Sequence, residues 1–145
     1  MYQDILVPTD GSDGTMQALD HALDIAAERG ATIHGLSVVD KRLYLAAGEE
    51  QKPELKETMT ENAEAAVERV AEAAEDAGVE CTTTVQDGIP YRAILDYAAE
   101  TPVDLIVMGT HGRSGRDKLA NLGSVTERVV ENTETPILVV RMGSE

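Results

Sequence analysis

Glycine and basic side chains are concentrated in one loop of this 145-residue chain. Residues 108–125 read MGTHGRSGRDKLANLGSV, in which Gly109, Gly112 and Gly115 recur at intervals of three residues. Glycine allows positive φ angles and lets a backbone approach a ligand closely. Four basic or imidazole side chains lie among or just after these glycines: His111, Arg113, Arg116 and Lys118. The pattern predicts a loop that binds an anion such as a phosphate group.

The same loop leads into a predicted helix that begins near Ser124. A helix N-terminus presents backbone N–H groups and the positive end of the helix dipole, and both favour a phosphate. Gly123 and Ser124 are therefore candidates for phosphate contacts. Two other interpretations stay open: the glycines form only a turn, or Ser124 and Glu127 form only a capping box. The spacing of the glycines matches neither a Walker loop nor a dinucleotide fingerprint.

A second candidate segment is PTDGSDG, residues 8–14, which follows the first predicted strand. In open α/β sheets, ligands bind beyond the carboxyl ends of the strands. Asp10 lies at such a position, where its carboxylate can accept hydrogen bonds from ribose hydroxyl groups. Alternatively, Asp10 begins an Asx turn in the sequence TDGS. The residues alone favour neither interpretation.

The sequence gives little support for turnover of a bound ligand. His111 has no serine or cysteine nucleophile motif to activate, and no pair of histidines has the spacing of metal ligands. His21 and His34 fall in a predicted helix and a predicted strand, where packing or surface roles are expected. Binding without efficient turnover is therefore the natural hypothesis, and neither a catalytic residue nor a transition-metal site is expected.

Five short apolar runs alternate with helical patterns along the chain. Several runs are nearly continuous in Val, Ile and Leu, which is typical of strands buried on both faces of a parallel sheet. These runs are residues 5–8, 32–39, 79–85, 104–109 and 136–142. Helices are predicted from Met16 to near Gly30 and over 53–77, 90–101 and 124–133. The order βαβαβαβαβ predicts an α/β fold with helices on both faces of a parallel sheet, and only 40–52 looks like a long irregular connection.

The longest predicted helix, 53–77, has a face rich in alanine and a face rich in glutamate. The apolar residues alternate between spacings of four and three: Met59, Ala63, Ala66, Val70, Ala73 and Ala77. The glutamates on the other side are Glu57, Glu61, Glu64, Glu68, Glu72 and Glu75. The pattern predicts an amphipathic helix that packs through small side chains and is solvated on its acidic face.

The strongly acidic composition of the chain excludes some classes of macromolecular partner. The 27 acidic and 12 basic residues give a net charge of −15, which argues against nucleic acid or an anionic membrane as a partner. Such acidity suits a protein that works in strong salt, where screening relieves self-repulsion. The chain has one cysteine, Cys81, no basic leader and no apolar run of transmembrane length. We therefore expect one cytoplasmic domain spanning residues 1–145.

Four segments together resemble the universal stress protein (UspA-like) superfamily over essentially the whole chain. These segments are ILVPTDGSDG, DLIVMGTHGRSG, LGSVTERVV and TPILVVR. The resemblance implies a five-stranded parallel sheet in the order 3-2-1-4-5. It also implies a homodimer paired through the last strand, Pro136 to Met142, and such pairing would cover an otherwise exposed apolar edge.

The resemblance further implies a site for an adenine nucleotide, ATP or AMP. Asp10 would hold the ribose, Pro8, Thr9 and Val38 would lie near the adenine, and the glycine motif would surround the ribose and phosphates. The expected ligand-contacting residues are Pro8, Thr9, Asp10, Val38, Met108, Gly109, His111, Gly112, Arg113, Gly115, Gly123, Ser124 and Val125. Mg²⁺ is expected only where phosphates are bound, because it usually accompanies them.

One departure from the superfamily pattern affects the phosphate end of this site. The ATP-binding members have G-x2-G-x9-G-[ST], whereas ten residues, 113–122, separate Gly112 from Gly123 here. The added residue bears on triphosphate binding more than on adenine or ribose binding. Three hypotheses follow: a dimeric, regulatory adenine-nucleotide binder, a nucleotide-independent dimeric interaction module with an unknown regulatory partner, and a slow ATP hydrolase using His111 or a loop acid.

Overall fold

Five parallel strands form the centre of the protein in a computed structural model that describes residues 1–110 and 123–141. The strands are β1 (Asp4–Pro8), β2 (Thr32–Asp40), β3 (Glu80–Gly88), β4 (Leu105–Gly109) and β5 (Ile137–Val140). The helices of the described residues are α1 (Asp13–Arg29), α2 (Lys41–Leu45), α3 (Lys52–Asp76), α4 (Pro90–Glu100) and α5 (Ser124–Asn132). The sheet order is β3-β2-β1-β4-β5, which confirms the predicted α/β class and the order 3-2-1-4-5.

Each face of the sheet is covered by its own pair of long helices. Ile5 and Val7 of β1 point to the core shared with α1 and α3, whereas Leu6 points to the core shared with α4 and α5. This alternation follows from the two-residue period of a strand. All three side chains are fully buried, so β1 is apolar on both faces, as a central parallel strand should be.

The helix α1 begins at Asp13, three residues before the predicted start at Met16, and it is capped at both ends. The Ser12 side chain accepts a hydrogen bond from the Thr15 N–H at 3.4 Å, which caps the first turn. Gly30 ends the helix with φ 66° and donates its N–H to the Ala26 carbonyl oxygen. A left-handed residue at this position favours glycine, because a Cβ atom would be strained there.

The connection predicted as irregular, 40–52, contains the short helix α2, so that prediction was wrong in part. The Asp40 carboxylate caps this helix by accepting from the Arg42 N–H and also pairs with the Arg42 guanidinium at 2.8 Å. Tyr44 is buried and donates its hydroxyl to Asp87 at 2.6 Å. The helix α2 is therefore stabilised by its cap and by tertiary packing. Neither of these produces a long periodic pattern of apolar residues in the sequence, so the helix was not predicted.

The buried face of α3 shifts relative to the predicted face. Ala63, Ala66 and Val70 are buried as predicted, but further burial falls on Val67 and Ala74. An average spacing of 3.5 residues drifts around a straight helix of 3.6 residues per turn. Over 25 residues this drift moves the contact stripe by about one position.

A group of hydrogen bonds joins the amino ends of β1, β2 and β4. The Asp104 carboxylate accepts from the Gln3 and Asp4 N–H groups at 3.0 and 3.1 Å, and the Asp104 N–H donates to the Asp4 carbonyl oxygen. Buried His34 lies 2.9 Å from the Asp4 carboxylate and 3.0 Å from the Tyr97 hydroxyl. These contacts fix the end of the sheet opposite the candidate site and agree with a packing role for His34.

Candidate functional site

The first part of the candidate site is the loop that follows β1. Thr9 is buried and donates its N–H to the Leu36 carbonyl oxygen of β2 at 2.8 Å. Its hydroxyl accepts from the Gly11 N–H at 3.0 Å and lies 3.0 Å from the hydroxyl of Thr15 on α1. The chain thus leaves the sheet in a short turn held at both ends, and Asp10 lies within it.

Asp10 forms the turn that one of the two sequence interpretations predicts. Its Oδ1 accepts a hydrogen bond from the Ser12 N–H at 2.9 Å, which is an Asx turn. A carboxylate has two oxygens and about four acceptor positions, so this bond is compatible with accepting from a ligand hydroxyl as well. The turn and the ribose-binding hypothesis are therefore not exclusive.

The second part of the site lies where β4 ends and α5 begins. Gly109 ends β4 and is buried, and its carbonyl oxygen accepts from the Thr126 hydroxyl at 2.9 Å. The Gly123 N–H donates to the Thr110 carbonyl oxygen. The two ends of the glycine-rich loop are therefore adjacent, and the start of α5 lies directly against the end of β4.

The capping box predicted for Ser124 and Glu127 is wrong. Gly123, with extended φ and ψ of −63° and 157°, is the N-cap residue, and Ser124 is already the first helical residue. No side chain of the described residues caps this helix start. The first-turn N–H groups of α5 therefore lie beside the end of β4 with no side-chain acceptor from residues 1–110 or 123–141, which is the arrangement that favours a bound anion.

Apolar side chains from three elements contribute to one cluster on this face of the sheet. Val38 of β2, Met108 of β4 and Val125 of α5 belong to the same hydrophobic cluster on the face covered by α4 and α5. Val38 and Val125 are half-buried, whereas Met108 is buried. Pro8, also expected near the ligand, is buried at the end of β1. The edge thus combines an apolar wall with a carboxylate on one side and helix amides on the other.

Four of the expected ligand-contacting residues lie outside the described residues: His111, Gly112, Arg113 and Gly115. The other nine all lie on β1, β2, β4 or α5, or next to the ends of these elements. Within the described chain, no group of three or more His, Cys, Asp or Glu side chains is arranged to hold a metal ion.

A family comparison agrees with this architecture. The sequence profile of the universal stress protein family matches residues 1–141. The chain belongs to the universal stress protein family.

Relatives and solved structures match this universal stress protein over nearly its whole length. Universal stress protein MJ0531 of Methanocaldococcus jannaschii is 39% identical over 142 residues, which cover 97% of this chain and 83% of the relative. The structure of protein MJ0577 from the same organism has a TM-score of 0.88 at 35% identity and covers 100% and 99% of the two chains. A universal stress protein in complex with cAMP has a TM-score of 0.72 at 28% identity and covers 98% and 99%.

A pair of arginines surrounds one tyrosine of this universal stress protein. Arg128 of α5 donates to the Tyr91 hydroxyl at 3.0 Å, and its guanidinium carbon lies 4.3 Å from the ring centre. Arg92 approaches the same hydroxyl at 3.4 Å. Hydrogen bonds from Arg92 and then Arg128 lower the pKa of the Tyr91 phenol. By contrast, the hydrogen bond to Asp87 raises the pKa of Tyr44.

Sequence reasoning missed several residues that shape the site. Thr15 and Thr126 hold the two loop ends through their hydroxyl groups, but threonine near a helix start has no unique signature. Arg69 of α3 reaches the loop after β1 and donates to the Gly11 carbonyl oxygen at 2.6 Å. Its only sequence signal is that it is the one base between Lys56 and Arg92.

In the described part of the chain, no helix is both long and apolar enough to cross a membrane.

Proposed function

We propose that this universal stress protein binds an adenine nucleotide, ATP or AMP, beyond the carboxyl ends of β1 and β4, and acts as a regulatory binder in the cytoplasm. The observation that carries the proposal is the start of α5, which has no side-chain cap in the described chain and lies against the end of β4. Asp10 lies in the loop after the adjacent strand, β1. N–H donors for a phosphate and a carboxylate acceptor for the ribose hydroxyls therefore lie at one edge of the sheet.

Each part of the nucleotide has a matching group at this edge. The apolar wall of Val38 and Met108 suits the flat adenine base, and the Asp10 carboxylate suits the ribose hydroxyls. The first-turn amides of α5 from Ser124 onward suit a phosphate, whereas the Gly123 N–H bonds the Thr110 carbonyl oxygen. His111, Gly112, Arg113 and Gly115 complete the proposed set from the loop between β4 and α5.

The length of the glycine-rich loop favours AMP over ATP. The ten residues between Gly112 and Gly123 exceed the family spacing by one. An added loop residue costs little closure entropy, but it alters the register of amides around successive phosphates. A monophosphate needs only the amides nearest the helix start, so it is the less affected ligand. Mg²⁺ would accompany ATP but not AMP, because it would be held mainly by the oxygens of successive phosphate groups.

The comparison with solved structures supports the class of ligand. The universal stress protein solved with cAMP, an adenine nucleotide, is 28% identical to this chain and matches 98% of it. The ligand of that protein has the base that the apolar wall would take here, and its ribose keeps a free 2′ hydroxyl of the kind that Asp10 would accept from.

The first test is the nucleotide content of the purified protein. Denatured protein is expected to release an adenine nucleotide, and the stripped protein is expected to bind AMP more tightly than ATP. Gly123→Val should weaken AMP binding by about 100-fold, because the new side chain crowds the helix amides without straining an extended backbone. Calorimetric titration in high and low salt measures both affinities.

Gly48→Val is the matched control, because Gly48 is exposed and a Cβ there meets only the flexible Gln51 side chain. Equal affinities of Gly123→Val and Gly48→Val would reject the phosphate site at α5. A protein that is empty and indifferent to both nucleotides, yet dimeric, would favour an interaction module. ATP turnover that is lost in His111→Ala would instead favour a slow hydrolase.

We also propose a homodimer paired through the last strand, β5, within the predicted segment Pro136 to Met142, of which Met142 lies outside the described residues. β5 is an edge strand with four apolar residues, and Leu138 on it is 36% exposed. Leu138→Lys is expected to lower the mass measured by light scattering from that of a dimer to that of one 15.5 kDa chain. Leu43→Lys, at another exposed leucine, is the control, and an equal mass for both variants and the unmodified protein would reject this interface.

A further inference from the structure

The peptide unit between Gly11 and Ser12 is held at both of its polar ends. Its carbonyl oxygen accepts a hydrogen bond from Arg69 Nη1 at 2.6 Å. Its N–H group, which belongs to Ser12, donates to Asp10 Oδ1 at 2.9 Å. The Arg69 guanidinium, this peptide and the Asp10 carboxylate therefore form one continuous chain of hydrogen bonds.

Such a chain makes the two bonds support each other. A cation on the carbonyl oxygen draws electron density from the peptide and makes its N–H a stronger donor. The bond from Arg69 is charge-assisted, and its length falls in the range of strong bonds. The peptide is also restrained in orientation, since rotation about it would break both contacts at once. The direction of the Asp10 carboxylate is therefore coupled to Arg69.

Arg69 is well placed to act as a fixed point for this loop. Its helix neighbour Val70 is fully buried, with Cγ1 at 3.0 Å from the position of a Cβ on Gly35. One turn earlier, Ala66 lies 3.4 Å from the position of a Cβ on Gly11. The loop after β1 therefore packs on α3 directly, although Arg69 is 58 residues from Gly11 in the sequence.

We infer that Arg69 is a positioning residue for nucleotide binding: it orients Asp10 toward the ribose through the shared Gly11–Ser12 peptide. The inference rests on the proposed function. Gly11 itself has φ +82°, so the loop uses a backbone conformation that favours glycine, and the bond from Arg69 stabilises that conformation from outside the loop. No contact between Arg69 and the ligand is required.

The test compares two ligands that differ only in the groups Asp10 would hold. AMP has the 2′ and 3′ hydroxyls, and 2′,3′-dideoxy-AMP lacks both. Arg69→Ala is expected to weaken AMP binding about tenfold and to leave the affinity for 2′,3′-dideoxy-AMP unchanged. Arg69→Lys should recover part of the AMP affinity, because an ammonium group can still donate to the Gly11 carbonyl oxygen.

Arg29→Ala is the matched control, since it removes the same charge from the end of α1, where Arg29 stacks on Tyr2. Equal AMP affinities for Arg69→Ala and Arg29→Ala would overturn the inference while leaving the proposed function intact. Equal weakening of both ligands by Arg69→Ala would overturn it too, because that result indicates general loosening of the site. Failure of the unmodified protein to bind either AMP or ATP would reject the proposed function and this inference with it.

A second readout does not need a ligand. The Ser12 amide resonance is expected to shift and to lose protection from hydrogen exchange in Arg69→Ala but not in Arg29→Ala. An unchanged Ser12 amide would overturn the coupling between Arg69 and Asp10 even if nucleotide affinity fell.

Discussion

Asp10→Ala is expected to weaken AMP binding by about 100-fold, which corresponds to roughly 2.7 kcal/mol. The substitution removes the carboxylate that would accept from the ribose hydroxyls, and hydrogen bonds to a charged group are among the strong ones. It also removes the acceptor for the Ser12 N–H, so the loop loses its Asx turn. Calorimetric titration of the stripped protein with AMP measures the change.

Two further variants separate these effects. Asp10→Asn keeps a side-chain oxygen for the Ser12 N–H but has no charge, so an intermediate affinity is expected. Asp20→Ala removes an acidic group from an exposed position on α1 and should bind AMP like the unmodified protein. If Asp10→Ala and Asp20→Ala bind AMP equally well, Asp10 is only a turn residue.

Gly35→Val is expected to lower the free energy of unfolding by about 3 kcal/mol. A Cβ on Gly35 would lie 3.0 Å from Val70 Cγ1 and 3.4 Å from Val70 Cβ, which leaves no room for a larger side chain. Val70 is fully buried, so it cannot move away without displacing α3 from the sheet. Urea unfolding followed by circular dichroism measures the loss.

The pair Gly35→Ala and Val70→Ala tests whether this contact is the cause. Gly35→Ala alone should destabilise the protein, but in the Val70→Ala background it should be neutral or stabilising, because space is restored and alanine restricts the unfolded chain more than glycine. Additive effects of the two substitutions would show that crowding between β2 and α3 is not responsible.

Much of the fold follows from sequence because its main signals are local and repeated. Near-continuous apolar runs indicate strands buried on both faces, and Gly30 and Gly78 mark the ends of α1 and α3. The elements that escape prediction depend on tertiary contacts. The helix α2 needs Tyr44 to bury against α3 and to bond Asp87 on β3, and no periodicity in five residues indicates this.

The candidate site divides in the same way. Residues at the ends of β1 and β4 can be selected because parallel strands all end at one edge. Ser124 was predicted to be the N-cap residue of α5, but Gly123 occupies that position. Its extended backbone conformation defines the helix start without a side-chain hydrogen bond from the described residues. Arg69 could not be predicted as a site residue from the sequence, because its hydrogen bond to Gly11 depends on how α3 crosses the sheet.

The order of the strands also dictates when the site can exist during synthesis of the chain. β1 is made first and lies at the centre of the sheet, with β2 on one side and β4 on the other. The neighbouring strand β2 is complete within about forty residues of the start of the chain. The other neighbour, β4, is preceded by Asp104, which bonds Gln3 and Asp4 and is made about a hundred residues later than they are. Until β4 emerges from the ribosome, β1 has an unpaired edge with apolar side chains, and a neighbouring chain can pair with it. The nascent protein is therefore most exposed to aggregation just before β4 joins the sheet, and the same step brings the two halves of the candidate nucleotide site together.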